Sequence, residues 1–108
     1  SVTVDPQQIE QVLINLLKNA WQAPQVTHVQ VDIAEQNGLL MVRIVDDGEG
    51  MAAEALQHAF TPYYSTKAEG SGIGLAICRE IIEAHSGKIT LNNLPDRQGF
   101  RVVIGIPL

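Results

Sequence analysis

One hundred and eight residues, 45% of them hydrophobic, are enough for a single globular domain with a real core. The formal net charge is −5 and no block of Lys or Arg occurs, so the chain lacks the clustered cations that carry nucleic-acid affinity, and no nucleic-acid partner is expected. No apolar run approaches the roughly 18 residues of a membrane span, so no direct membrane contact is expected either.

Asp5-Pro6 reads as a helix start, with Asp5 as cap, Pro6 in the first helical position and Gln8 completing a capping-box pattern. Ile9, Val12, Leu13, Leu16, Leu17 and Ala20 recur at helical spacing and form a buried face, and Pro24 stops the helix. From Val26 to Glu35, alternating Val29, Val31 and Ile33 predict a strand. Asn37-Gly38 is a two-residue hairpin turn, and Leu39 to Val45 is the returning strand. Ala52 to Phe60 is a candidate short helix, and Thr61 to Gly72 reads as a mobile loop. Ile73 to His85 is a second long amphipathic helix closed by Ser86-Gly87. Lys88 to Asn93 and Gly99 to Pro107 form a last strand pair around a polar loop. The order predicts an α/β (α+β) two-layer sandwich, a mixed β-sheet covered on one face by helices.

The informative residues fall in three segments. Asn15 and Asn19 are four apart and share a helical face. Asparagine is mildly unfavourable in mid-helix, so the pair is either an exposed polar edge or a pair of oxygen ligands for Mg²⁺. Asp46-Asp47-Gly48-Glu49-Gly50 follows an apolar strand. It is either an ordinary strand-end turn or a site where Asp46 accepts a hydrogen bond from an adenine amino group while Gly48 and Gly50 let the backbone pass close to the base. Met51 packs either on a purine face or in the core, and Asp47 and Glu49 are expected to be solvated. Gly70-Ser71-Gly72-Ile73-Gly74-Leu75 opens a helix whose first N–H groups point at an anion. No Gly-Lys-Ser/Thr follows, which excludes a Walker loop. Leu75 stands where the third glycine of a dinucleotide fingerprint would fall. Between the two glycine turns, Lys67 is either a loop lysine or the neutraliser of a terminal phosphate, while Phe60 and Tyr63 anchor a lid or offer a docking surface.

Other chemistries find little support. His28, His58 and His85 lack zinc-site spacing and no nucleophilic triad is apparent, so all three read as structural or solvated. Cys78, the single cysteine, lies in an apolar helical stretch and reads as a small core residue, in keeping with a reducing cytoplasm. No signal peptide is visible, and Ser1 has the look of a fragment boundary.

Taken together, these segments resemble the catalytic and ATP-binding domain of a bacterial sensor histidine kinase, within the gyrase, chaperone, kinase and mismatch-repair ATPase superfamily and its Bergerat-type ATP-binding fold. Residues 9–23, with Val12 to Ala20, resemble the N box. Residues 46–51 resemble the first glycine box, 58–69 the F box and lid, and 70–75 the second glycine box. The short lid is most similar to kinases of the nitrogen-regulation and acetoacetate-sensing type. The resemblance implies ATP and Mg²⁺ as ligands, with Asn19 and Asn15 on the metal and Asp46, Gly48, Gly50 and Met51 around the adenine. It implies Gly70, Gly72, Ile73, Gly74 and Leu75 around the phosphates, and Lys67 in a supporting catalytic role.

The superfamily's ATP-hydrolysing clamps carry a glutamate four residues before the magnesium asparagine. This chain has Asn15 there, a poor general base. The resemblance therefore implies transfer of the γ-phosphoryl to a histidine on a separate dimerisation domain, and from there to a response regulator. No histidine here has the acceptor's context, so this single domain is expected to be monomeric, to lack the phosphoacceptor domain and to autophosphorylate poorly alone. A serine kinase of the anti-sigma type and a nucleotide-independent docking module are the alternatives.

Overall fold

The computed structural model describes residues 5–22, 25–61 and 74–107. Helix α1 spans Pro6–Gln22, strands β1 and β2 span Val29–Gln36 and Leu39–Asp46, and the short helix α2 spans Ala53–Gln57. Helix α3 spans Gly74–Ala84, and strands β3 and β4 span Lys88–Asn93 and Phe100–Pro107. The expected boundaries hold to within a few residues.

Both long helices begin or end as their residues dictate. Asp5 Oδ1 accepts the N–H groups of Gln7 and Gln8 at 3.0 and 3.3 Å, which satisfies two of the unpaired donors of the first turn of α1. A capping box would have Gln8 satisfy the Asp5 N–H. Instead that N–H donates to His85 Nε2 at 3.1 Å, from the far end of the chain. At the end of α3, Ser86 takes a φ of +61°. Its N–H donates to the Glu83 carbonyl and the Gly87 N–H to the Ile82 carbonyl, a Schellman closure with serine in the left-handed position.

The four strands form one sheet in the order β1-β2-β4-β3. Asn37 and Gly38 have φ of +54° and +77°, as a two-residue primed turn requires, and set the register of Gln36 opposite Leu39. The two-layer α/β class is as expected, but the sheet is not mixed: every described pair is antiparallel. The helical crossover between β2 and β3 does return the chain in the same direction. The β3–β4 hairpin then inserts β4 between those two strands, so the parallel neighbours never touch.

Val12, Leu16 and Ala20 on α1 and Cys78, Ile81 and Ile82 on α3 pack on the inward faces of β2 and β4, where Phe100, Val102, Ile104 and Ile106 alternate along β4. The two helices run antiparallel: Asp5 meets His85 at one end, and the Cys78 thiol lies 3.8 Å from the Val12 carbonyl further along. Their cover stops at β2. Val31 and Ile33 of β1 sit opposite the buried Ile44 and Val42, yet remain 43% and 63% exposed. No helix among the described residues is long and apolar enough to cross a membrane.

Candidate functional site

The topology gathers most of the singled-out residues at one end of the sandwich. Asp46, Phe100 and Asn93 lie in one row across β2, β4 and β3. The chain leaves α3 and enters β3 at the opposite end, so the start of α3 at Gly74 falls on the Asp46 side. Because α1 is antiparallel to α3, its C-terminal half, with Asn15 and Asn19, reaches the same end.

Asp46 closes the inward-facing series Val42, Ile44, Asp46, and its side chain is therefore buried, at 4% exposure. A carboxylate in that place needs a partner. One comes from its own turn: the Gly48 N–H donates to Asp46 Oδ1 at 2.9 Å. Gly50 follows with a φ of +77°, a left-handed conformation that glycine adopts without strain. Met51, next in line, is half-buried and packs against the core cluster, as do Leu56 and Leu75.

Asn15 and Asn19 are both half-buried on the flank of α1. Side chains on a helix lean toward its N-terminus, and Asn15 accordingly reaches the Cys78 thiol on α3. Burial pushes that thiol up to about 11, offset in part by Asn15, so it is inert at neutral pH. Asn19 lies one turn, about 5.4 Å, further along the same flank. Among the described residues, a Cβ added at Gly74 would meet nothing within 4 Å, while Leu75 beside it packs on the core. The first-turn N–H groups of α3 have no partner within the helix. Phe60 is held against the same helix, with the Arg79 guanidinium 5.2 Å from its ring centroid. The expectations for Lys67, Gly70, Gly72 and Ile73 lie outside the described residues, as do those for Tyr63 and the loop from 62 to 72.

The Asp47 side chain is exposed to solvent, as expected, but it is also tied down by hydrogen bonds. Its Oδ1 accepts the Thr27 and His28 N–H groups at 2.7 and 3.0 Å, and its Oδ2 accepts the Thr27 hydroxyl. The Asp47 N–H donates back to the His28 carbonyl at 3.3 Å. These bonds, the Thr27 hydroxyl foremost, hold the Asp47 carboxyl well below the usual carboxylate range. The unfolded chain therefore takes up the proton more readily, and the stabilisation is present at neutral pH and lost as the pH falls below about 4. The melting temperature of the native chain should exceed that of Asp47→Asn at pH 7, with the gap beginning to narrow only below about pH 4. A pH-independent gap would contradict the assignment.

His85 is buried and structural. Its Nδ1 donates to the Ile81 carbonyl at 2.8 Å, which leaves Nε2 as the acceptor for Asp5. Sequence reasoning also passed over Asn93, whose carboxamide brackets the Met51 peptide groups. A signal existed: asparagine is depleted in strands, yet Asn92 and Asn93 close one.

Residues 4–108 match the family of histidine kinase-, DNA gyrase B-, and HSP90-like ATPases. The chain belongs to that family. It is 39% identical over 108 residues to the sensor histidine kinase ZraS of Escherichia coli O157:H7, covering 99% of this chain and 23% of that protein. To the C4-dicarboxylate transport sensor protein DctB of Rhizobium meliloti it is 38% identical over 97 residues, covering 87% of this chain and 16% of that one. Among solved structures, a nucleotide-free catalytic domain of the histidine kinase ThkA superposes with a TM-score of 0.84 at 34% identity, covering 98% of this chain and 70% of the other. The domain this chain matches is thus the ATPase-like catalytic domain found in sensor histidine kinases. The chain spans under a quarter of the length of these curated relatives.

Proposed function

We propose that the chain binds MgATP at the Asp46 end of the sandwich and donates the γ-phosphoryl group to a histidine on a separate dimerisation domain, for onward transfer to a response regulator. The observation that carries this reading is the convergence of a buried carboxylate, a glycine turn, a helical asparagine pair and a helix N-terminus at one end of the fold. In it Asp46 accepts from the adenine amino group, with Gly48, Gly50 and Met51 framing the base. Asn19, assisted by Asn15, offers carboxamide oxygens to Mg²⁺, a hard cation that keeps several ligand places for phosphate and water. Gly74 and Leu75, together with Gly70, Gly72 and Ile73, receive the polyphosphate, and Lys67 supports the terminal phosphate. Bound Mg²⁺ would neutralise phosphate charge, and the rest of catalysis is positioning. Asn15 cannot activate water as a carboxylate would, which favours transfer over hydrolysis.

The test supplies a dimerising histidine domain in trans with γ-labelled ATP. Acid-labile, alkali-stable label on that domain is the expected result, and Asn19→Ala should reduce it at least about tenfold while leaving adenosine binding unchanged. Acid-stable label on a serine protein would favour the anti-sigma alternative, and fast release of inorganic phosphate by the chain alone would favour a hydrolase.

A further inference from the structure

Asn93 ends β3, two strands away from Asp46 in the same row. Its Oδ1 accepts the Met51 N–H at 2.9 Å and its Nδ2 donates to the Met51 carbonyl at 2.8 Å, across 42 residues of sequence. A carboxamide presents an acceptor and a donor side by side, as a peptide edge does, so this side chain acts as one further strand residue for the glycine turn. The fit extends to Gly50. A Cβ there would collide with Asn93 Oδ1, so the glycine and the asparagine are matched. The turn that starts at Asp46 crosses the end of β4, a span of about 10 Å over two inter-strand spacings, and is fastened at both ends. Gly48 bonds to Asp46 at one end and Met51 to Asn93 at the other.

We infer that Asn93 is a positioning residue for the adenine side of the pocket: it holds the Gly50–Met51 backbone where, with Asp46, it frames the base. The inference rests on the MgATP reading above. Asn93 touches the nucleotide only through the turn it holds, so its effect falls on base recognition more than on the phosphates.

The experiment measures ATP and GTP affinity by calorimetry, together with melting temperature, for the native chain, Asn93→Ala and Asn93→Asp. The aspartate keeps the shape and the Oδ1 acceptor but turns a carboxylate oxygen on the Met51 carbonyl. Both variants should lose about tenfold in ATP affinity, the order expected for two backbone hydrogen bonds, and the preference for ATP over GTP should narrow. That ratio does not depend on the folded fraction, so a merely structural role would leave it unmoved. ATP binding within about twofold of native in either variant would overturn the inference, as would equal losses for ATP and GTP. Failure of the native chain to bind ATP would overturn the site reading and this inference together, whereas native binding with unmoved variants overturns this inference alone.

Discussion

Replacing Asp46 with alanine is expected to weaken ATP binding at least about tenfold. Under the proposed role the change removes a charge-assisted hydrogen bond to the base, worth about 1.5–3 kcal/mol. Burial makes the effect larger than it would be at a surface, because little water is at hand to replace the lost acceptor. The same substitution leaves the Gly48 N–H without the Asp46 oxygen it now reaches at 2.9 Å, so part of the loss would come through the turn. Asp46→Asn separates the two. An asparagine oriented to accept from Gly48 keeps the turn and removes the charge, and it should still bind ATP several-fold more weakly with little change in melting temperature. Native affinity in both variants would remove Asp46 from the site.

Gly50→Ala is expected to be the most damaging substitution in the turn. The residue has a φ of +77°, and its Cβ would enter the space of Asn93 Oδ1. Left-handed strain costs alanine about 1–2 kcal/mol, and displacing Asn93 puts two hydrogen bonds of about 1 kcal/mol each at risk. A loss of about 2–4 kcal/mol in stability follows, read as a fall of about 10 °C or more in melting temperature. The two sources can be resolved. In an Asn93→Ala background the collision with Asn93 is gone and the hydrogen bonds are already lost, so Gly50→Ala should cost only the strain and the 3.3 Å approach to the Gly99 carbonyl. A coupling of about 1 kcal/mol or more between the two sites is the expected result, and strict additivity would contradict the matched pair.

What the sequence made legible was local. The spacing of Val12, Leu16 and Ala20 and the turn at Asn37-Gly38 depend on residues a few places apart, and the structure has them as expected. The burial of Asp46 is local in the same way, since the residue closes an inward-facing alternation. Long-range partners were not. Asp47 is exposed as expected, but its partners, Thr27 and His28, are about twenty residues upstream and were not legible. Asp5 caps α1 as expected, but the reciprocal bond expected from Gln8 comes instead from His85, 80 residues away. The sheet was expected to be mixed because a helical crossover usually brings parallel strands together. Only the register of β4 reveals that it stands between them. Asn93 belongs to this class too: its spelling hinted at a role, but its partner was 42 residues distant.

The measurement that bears most directly on the account is a calorimetric titration of the chain with a non-hydrolysable ATP analogue, with and without Mg²⁺. Saturable one-to-one binding that strengthens when Mg²⁺ is added is the predicted result, with Asp46→Ala losing most of it under both conditions. A folded chain that shows no saturable binding, or binding indifferent to both Mg²⁺ and Asp46, would contradict the nucleotide site.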